Sequence, residues 1–429
     1  MTPATARDGF GPRRPLQAGG AAMVIVAFLL SPAVPPAVQA QTLDTLYQFQ
    51  CAEDGCLPIG LLVSDSSGNL YGTAPGNYGG LGAGDVYELS SAGKLTVLLD
   101  FSNSGGGGST PVGLVQDRSG SMYGTTELGG SEGNFGTVFE VTRTGSETVL
   151  YRFNGTPDGE FPQGWPILDD AGNLFGATLS GGKELCWGQG LACGTAFMVR
   201  PDGTETILHY FTGPPDGFWP EAALARGPDG SLYGTTYYGG RTTCPHNAPG
   251  CGIVFRLTPV GNGKWRETVL HRFTGKADGG FAVSALVLDA QGNIYGGTQS
   301  GGDSAGCRGW GCGTIYKITS TGNFSVLYSF TGGSDGSVPY PFLLDGGGNI
   351  YGTATTGGNT ACNGVNGCGT VFELDPAGHL TVLHSFDGKD GAGPYGLIRD
   401  GEGNLYGVTF LGGDGPCDGG CGTIYKLTP

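Results

Sequence analysis

One five-residue phrase, written seven times, constrains what this chain can fold into. G-N-L-Y-G recurs with small changes at Gly68–Gly72, Gly120–Gly124, Gly172–Gly176, Gly230–Gly234, Gly292–Gly296, Gly348–Gly352 and Gly403–Gly407. Its aromatic position falls on Tyr71, Tyr123, Phe175, Tyr233, Tyr295, Tyr351 and Tyr406, in steps of 52, 52, 58, 62, 56 and 55 residues. Three other phrases keep pace. An apolar run, usually opened by proline, lies ahead, as at Pro58–Leu62, Pro111–Val115, Pro220–Leu224 and Pro394–Ile398. G-T-V-F-E-L lies behind, as at Val86–Leu89, Val254–Leu257 and Ile424–Leu427, and T-V-L-Y-x-F closes the repeat, as at Thr148–Phe153, Thr268–Phe273 and Thr381–Phe386. Each phrase is rich in β-branched and aromatic residues and bounded by Gly, Asp or Pro, which are strand signals. Four short strands in order, A to D, make one antiparallel sheet per repeat.

With 87 glycines and 26 prolines in 429 residues, helices are disfavoured throughout. At 38 % hydrophobic and 10 % aromatic, however, the chain can build a core and is not a disordered low-complexity sequence. One sheet cannot bury both faces alone; seven arranged radially can. After residue 40 the chain opens with an isolated copy of the fourth phrase, Leu43–Phe49, and it closes on a third phrase with no fourth behind it. A closed ring lets the early strand complete the last sheet. The reading is an all-β, seven-bladed β-propeller with four antiparallel strands per blade. Its repeats cover about 57–101, 110–153, 160–211, 218–273, 280–330, 337–386 and 392–429 plus 43–49. The alternatives are a β-solenoid, whose repeats are usually shorter, and a ring of six or eight blades.

Taken together, DGxxP, GLxxDxxGNLYGTTxxGG, CGTVFEL and TVLYSF resemble the GloVer tandem-repeat proteins across essentially all of 43–429. The resemblance implies export and a repeat architecture, and it implies no established activity.

Residues 1–40 read as a signal peptide. Arg7, Arg13 and Arg14 precede an apolar stretch, Ala21–Leu30, that is too short to span a bilayer, and Val38 and Ala40 suit cleavage before Gln41. The expected product is extracellular or periplasmic, without a transmembrane segment, and monomeric. The leader carries three Arg and one Asp, so the rest of the chain holds 18 basic and 36 acidic side chains, a net of −18. Such a surface repels nucleic acid and anionic lipid and favours cations or basic partners. Twelve cysteines fall into six close pairs: Cys51/Cys56, Cys186/Cys193, Cys244/Cys251, Cys307/Cys312, Cys362/Cys368 and Cys417/Cys421. In an exported chain these read as disulfides, since His246 is the one histidine that lies within any pair.

In a four-stranded blade the D–A and B–C loops share one rim, and that rim carries all six cysteine pairs. It also carries D-G-x-x-P, in which Asp54, Asp158, Asp216, Asp335 and Asp390 precede proline by four residues; Asp278 stands in the equivalent place before Ala282. Either these aspartates launch strand A as repeated turns, or six carboxylates ring the mouth of the central channel and bind a cation, with calcium the ion to test. Trp165, Trp187, Trp219, Tyr237, Tyr238 and Trp310 collect near the same rim, as sugar platforms or as packing between blades. His209, His271 and His384 share a fourth-strand slot with Tyr151 and Tyr328. No G-x-S-x-G, H-E-x-x-H or phosphate-binding loop appears. The functional expectation is a non-catalytic propeller that binds an extracellular glycan or protein through its disulfide-pinned rim. The alternatives are a calcium-assisted lyase or hydrolase at the channel mouth, or a structural envelope protein.

Overall fold

The structure, a computed structural model, describes residues 41–428 apart from 52–53, 77–82, 104–106, 131–132, 188–190, 242, 303–305 and 363–366. Residues 1–40, read from the sequence as a signal peptide, lie outside them. Regular structure in the described residues is strand, with three single turns of 3-10 helix, and no helix there is long and apolar enough to cross a membrane.

Seven four-stranded antiparallel sheets follow one another as blades. The first is Ile59–Ser64, Leu70–Ala74, Asp85–Leu89 and Leu95–Asp100, paired in sequence order from the inner to the outer edge. Blades two to six repeat that order. The seventh takes Ala392–Arg399, Leu405–Leu411 and Thr423–Thr428 from the end of the chain and its outer strand, Thr42–Gln48, from the beginning. Thr42 pairs with Thr428 and Gln48 with Thr423, so the ring closes as the sequence predicts. The run Pro220–Leu224, expected as an inner strand, stays outside the ladder, which begins at Ala225. It packs instead on the blade before it, where a Cβ on Gly164 would lie 2.4 Å from the Ala223 nitrogen.

The core is seven hydrophobic clusters, one at each interface between adjacent blades. The cluster at the closure joins Phe49, Val408 and Ile424 to Leu62, Leu70 and Tyr87. At every interface the phenylalanine ending an outer strand meets edge-on the third-strand aromatic of the next blade. The pairs are Phe49–Tyr87, Phe101–Phe139, Phe153–Phe197, Phe211–Phe255, Phe273–Tyr316, Phe330–Phe372 and Phe386–Tyr425, with centroids 5.0–5.3 Å apart. The inner strands meet around the axis. One narrow cavity of about 80 Å³ is lined by Gly60, Val112, Gly164, Ala222, Val283, Tyr340 and Tyr395, one residue from each blade.

Candidate functional site: the disulfide-pinned rim and upper channel

Each blade begins with a residue in the left-handed conformation on one rim. Leu57, Thr110, Phe161, Trp219, Phe281, Val338 and Gly393 all have φ between 55° and 64°, immediately before Pro or, after Phe281, Ala282. A left-handed conformation costs a non-glycine residue on the order of 1–3 kcal/mol and persists only where the surroundings enforce it. Here the enforcement is a hydrogen bond to the preceding blade. The amides of Trp219, Phe281, Val338, Gly393 and Leu57 donate to the carbonyls of Cys193, Cys251, Cys312, Cys368 and Cys421 over 2.8–3.0 Å. Each acceptor belongs to a disulfide: Cys186–Cys193, Cys244–Cys251, Cys307–Cys312, Cys362–Cys368 and Cys417–Cys421. The sixth bridge, Cys51–Cys56, lies against Cys417 where the ring closes. The bridges therefore hold the loops that hold five of the seven, of which Trp219 and Phe281 are aromatic, while the Phe161 amide donates to the Phe135 carbonyl.

Between blades four, five and six this rim opens into a groove of about 550 Å³. Tyr237, Tyr238, Phe281 and Trp310 give it ring surfaces, Gln299 and Arg308 polar ones, and the Cys307–Cys312 bridge lines it too. Tyr237 stacks on Phe281 at 5.0 Å, and Trp310 stacks on His246 at 3.8 Å while remaining 40 % exposed. The Tyr237 hydroxyl donates to Gln299 Oε1 at 2.9 Å, fixing both at the inner wall.

That wall is shared with the mouth of the channel, a cavity of about 420 Å³ lined by Gln163, Trp219, Glu221, Tyr237, Tyr238, Val283, Gln299, Tyr340 and Tyr395. Trp219 lies 5.3 Å from Tyr238, and Tyr340 lies 4.9 Å from Tyr395. Burial pushes the Glu221 carboxyl up to about 7. Burial, and then Glu221, pushes the Tyr237 hydroxyl up to about 12.

Four of the aromatic residues singled out from the sequence, Trp219, Tyr237, Tyr238 and Trp310, thus converge on two joined cavities. Trp165 lies deeper, in the narrow channel, with its ring 6.3 Å from Phe342. The side chain of Trp187 is outside those described. Sequence reasoning missed Glu221, whose run was read only as an apolar strand. The signal was available: the residue after the strand-opening position reads Ile59, Val112, Gln163, Glu221, Val283, Tyr340 and Tyr395, with one carboxylate in seven.

The six aspartates stand elsewhere. Asp54, Asp158 and Asp335 accept from the hydroxyls of Tyr47, Tyr151 and Tyr328 at 2.6–3.2 Å. Asp216, Asp278 and Asp390 meet Nε2 of His209, His271 and His384 at 2.7–3.2 Å. All six partners lie on outer strands, and a backbone amide three or four residues earlier also donates to each carboxylate. Of the two readings of these aspartates, the ring of carboxylates at the channel mouth does not form, because the turn fastens each one to the outer strand before the chain travels inward. One repeat lacks the aspartate, with Gly107 and Gly108 in its loop, and there the outer-strand partner is Leu99. Another group of potential metal ligands, His209, Asp216 and Glu267, brings its ligand atoms within 4.8 Å of one another at an outer blade interface. Asp216 there already accepts from the Thr212 and Gly217 amides.

Fold and rim together define a closed seven-bladed β-propeller with a pocketed, disulfide-braced face. The chain belongs to the Gloeobacter/Verrucomicrobia repeat family, whose model matches residues 35–189, 82–304, 185–361 and 242–429. Among solved structures it is similar to streptogramin B lyase, with a TM-score of 0.57 and 15 % identity over 90 % of this chain and 97 % of that one. It is also similar to a fungal alcohol oxidase of the AA5 family solved with copper, with a TM-score of 0.54 and 12 % identity over 91 % and 77 %. At such identities the likeness shows the fold alone. No curated protein sequence matches the chain.

Proposed function

We propose that this is an exported, non-catalytic propeller that binds an extracellular glycan in the rim groove. The observation that carries the reading is the set of four rings, Tyr237, Tyr238, Phe281 and Trp310, gathered with Gln299 and Arg308 around one groove that a disulfide lines. Sugar rings offer apolar faces and hydroxyl edges, and such a surface supplies partners for both. Six disulfides support the exported compartment. Trp310 is the ring to remove, because it is exposed and its loss leaves the blade cores intact. Trp310→Ala is expected to weaken binding to the glycan found on an array by about tenfold, equivalent to about 1.4 kcal/mol. Unchanged affinity with unchanged thermal unfolding would remove the groove from consideration.

A second reading, acid–base cleavage of an extracellular polymer, is favoured by one observation. A carboxyl pushed up to about 7 among tyrosines can exchange a proton near neutral pH. Time-dependent shortening of a bound polymer by the wild type but not by Glu221→Gln would establish it. The calcium-assisted form draws no support from the six turn aspartates, which are committed to their outer strands.

A further inference from the structure

Glu221 has a property that the groove alone does not explain. Some carboxylates of this molecule meet a cation: Arg256 reaches Asp229, and Arg143 lies 3.5 Å from the buried Asp65 side chain. Glu221 enters no ion pair among the described residues, and the lining of its cavity contains no Lys, Arg or His. Glu221 is half-buried, and burial raises its carboxyl, so a negative charge is disfavoured where it stands. Withdrawing an unpaired carboxylate from water is costly, and a ligand that brings the missing positive charge would recover that cost on binding. The surrounding groups suit an N–H donor: tyrosine oxygens and the Gln163 amide accept hydrogen bonds, and the Trp219 and Tyr238 rings attract a cation. The net −18 of the chain beyond residue 40 draws cations toward the surface.

The cavity is also open to the groove. Tyr237, Tyr238 and Gln299 line both, so a ligand lying along the rim reaches Glu221 around a shared wall. We propose that the glycan recognised by the groove carries a free, protonated amine, and that Glu221 is the counter-ion receiving it at the channel mouth. This rests on the groove's being a glycan site and adds the charge class of the ligand.

Glucosamine oligomers and fully N-acetylated oligomers of equal length differ in this charge, and titration calorimetry of the chain from residue 41 can compare them. The wild type is expected to bind the free-amine form at least about tenfold more tightly. Glu221→Gln should bring the two within about twofold of each other, while Asp202→Asn, at an exposed turn, should leave the preference intact. Equal binding of both oligomers, with Trp310→Ala weakening both, overturns the amine assignment and leaves the groove reading standing. Binding of neither, alongside a blank glycan array, overturns both. A preference that survives Glu221→Gln places the amine elsewhere, and calcium binding lost in Glu221→Gln without any amine preference assigns the carboxylate to an inorganic ion.

Discussion

The second glycine of G-N-L-Y-G owes its place to the edge-on ring pairs. A Cβ on Gly72, Gly124, Gly176, Gly234, Gly296, Gly352 or Gly407 would lie 2.3–2.6 Å from the third-strand ring of its own blade. Only a hydrogen leaves room for that ring to reach the phenylalanine of the blade before it. In three blades the ring is Tyr87, Tyr316 or Tyr425, and its buried hydroxyl has no hydrogen-bond partner among the described residues. Four other blades have phenylalanine at that position. An unsatisfied buried hydroxyl costs about 1–3 kcal/mol, so Tyr316→Phe is expected to raise the melting temperature. Phe273→Ala, which empties the other half of the same pair, should cost about 3–5 kcal/mol. Thermal unfolding of the two variants checks both signs. The turn aspartates allow a separate test of their role. Asp278→Ala removes the acceptor for the Thr274 amide and for His271, so it should lower the melting temperature. Calcium should shift neither wild type nor variant; a calcium-dependent rise lost on substitution would restore the cation reading.

Within a strand, position relative to the bulge decides what each side chain meets. Every outer strand skips one residue against the third strand, at Leu46, Leu98, Leu150, Leu208, Leu270, Leu327 and Leu383. The extra residue turns the next side chain toward its turn aspartate, a direction that alternation along the strand does not predict. That is why the D-G-x-x-P motif was legible as a repeated feature while its attachment to the outer strand was not. Outer strands also begin differently. Leu43, Leu95, Phe324 and Leu380 occupy a slot that in three consecutive blades holds Glu147, Glu205 and Glu267, each with a buried carboxylate oxygen that lacks a partner among the described residues. Burial, and then Asp158, pushes the Glu205 carboxyl up to about 7. Burial and Asp216 also raise Glu267, against the opposing pull of His209 and Arg272. A carboxyl whose folded pKa exceeds its ordinary 4.5 binds its proton more tightly in the native state, so its contribution to stability falls as pH rises from about 4.5 through about 7. Combined Glu205→Gln and Glu267→Gln should leave the melting temperature nearly unchanged at pH 4 and raise it at pH 8. A variant-minus-wild-type difference that did not grow with pH would mean that these carboxyls are not strained by their charge.

For the molecule as a whole, blade number and closure were legible because radial packing demands the same strands in every repeat, and seven copies average out local irregularity. The channel chemistry was not, since a single Glu221 in an apolar run acquires meaning only when seven inner strands bring their equivalent residues to one axis. The closure itself depends on ten or so residues at one end of the described chain. Thr42–Gln48 supplies the outer strand of the seventh blade, and Phe49 supplies the edge-on partner for Tyr87 of the first. Without them the Thr423–Thr428 strand has an unpaired edge, and one of seven interfaces loses its phenylalanine. A chain beginning at residue 51 is therefore expected to melt at lower temperature, with faster amide exchange concentrated in Thr423–Thr428 and around Tyr87. Because the missing piece is one strand bound by ladder bonds and a buried ring, a synthetic peptide of residues 41–50 added in trans should re-form the ladder and restore exchange protection. The same peptide carrying Phe49→Ala should do so much more weakly. Equal stability of the shortened chain, or indifference to the peptide, would show that the ring holds without its strand exchange and that adjacent-blade packing alone sustains it.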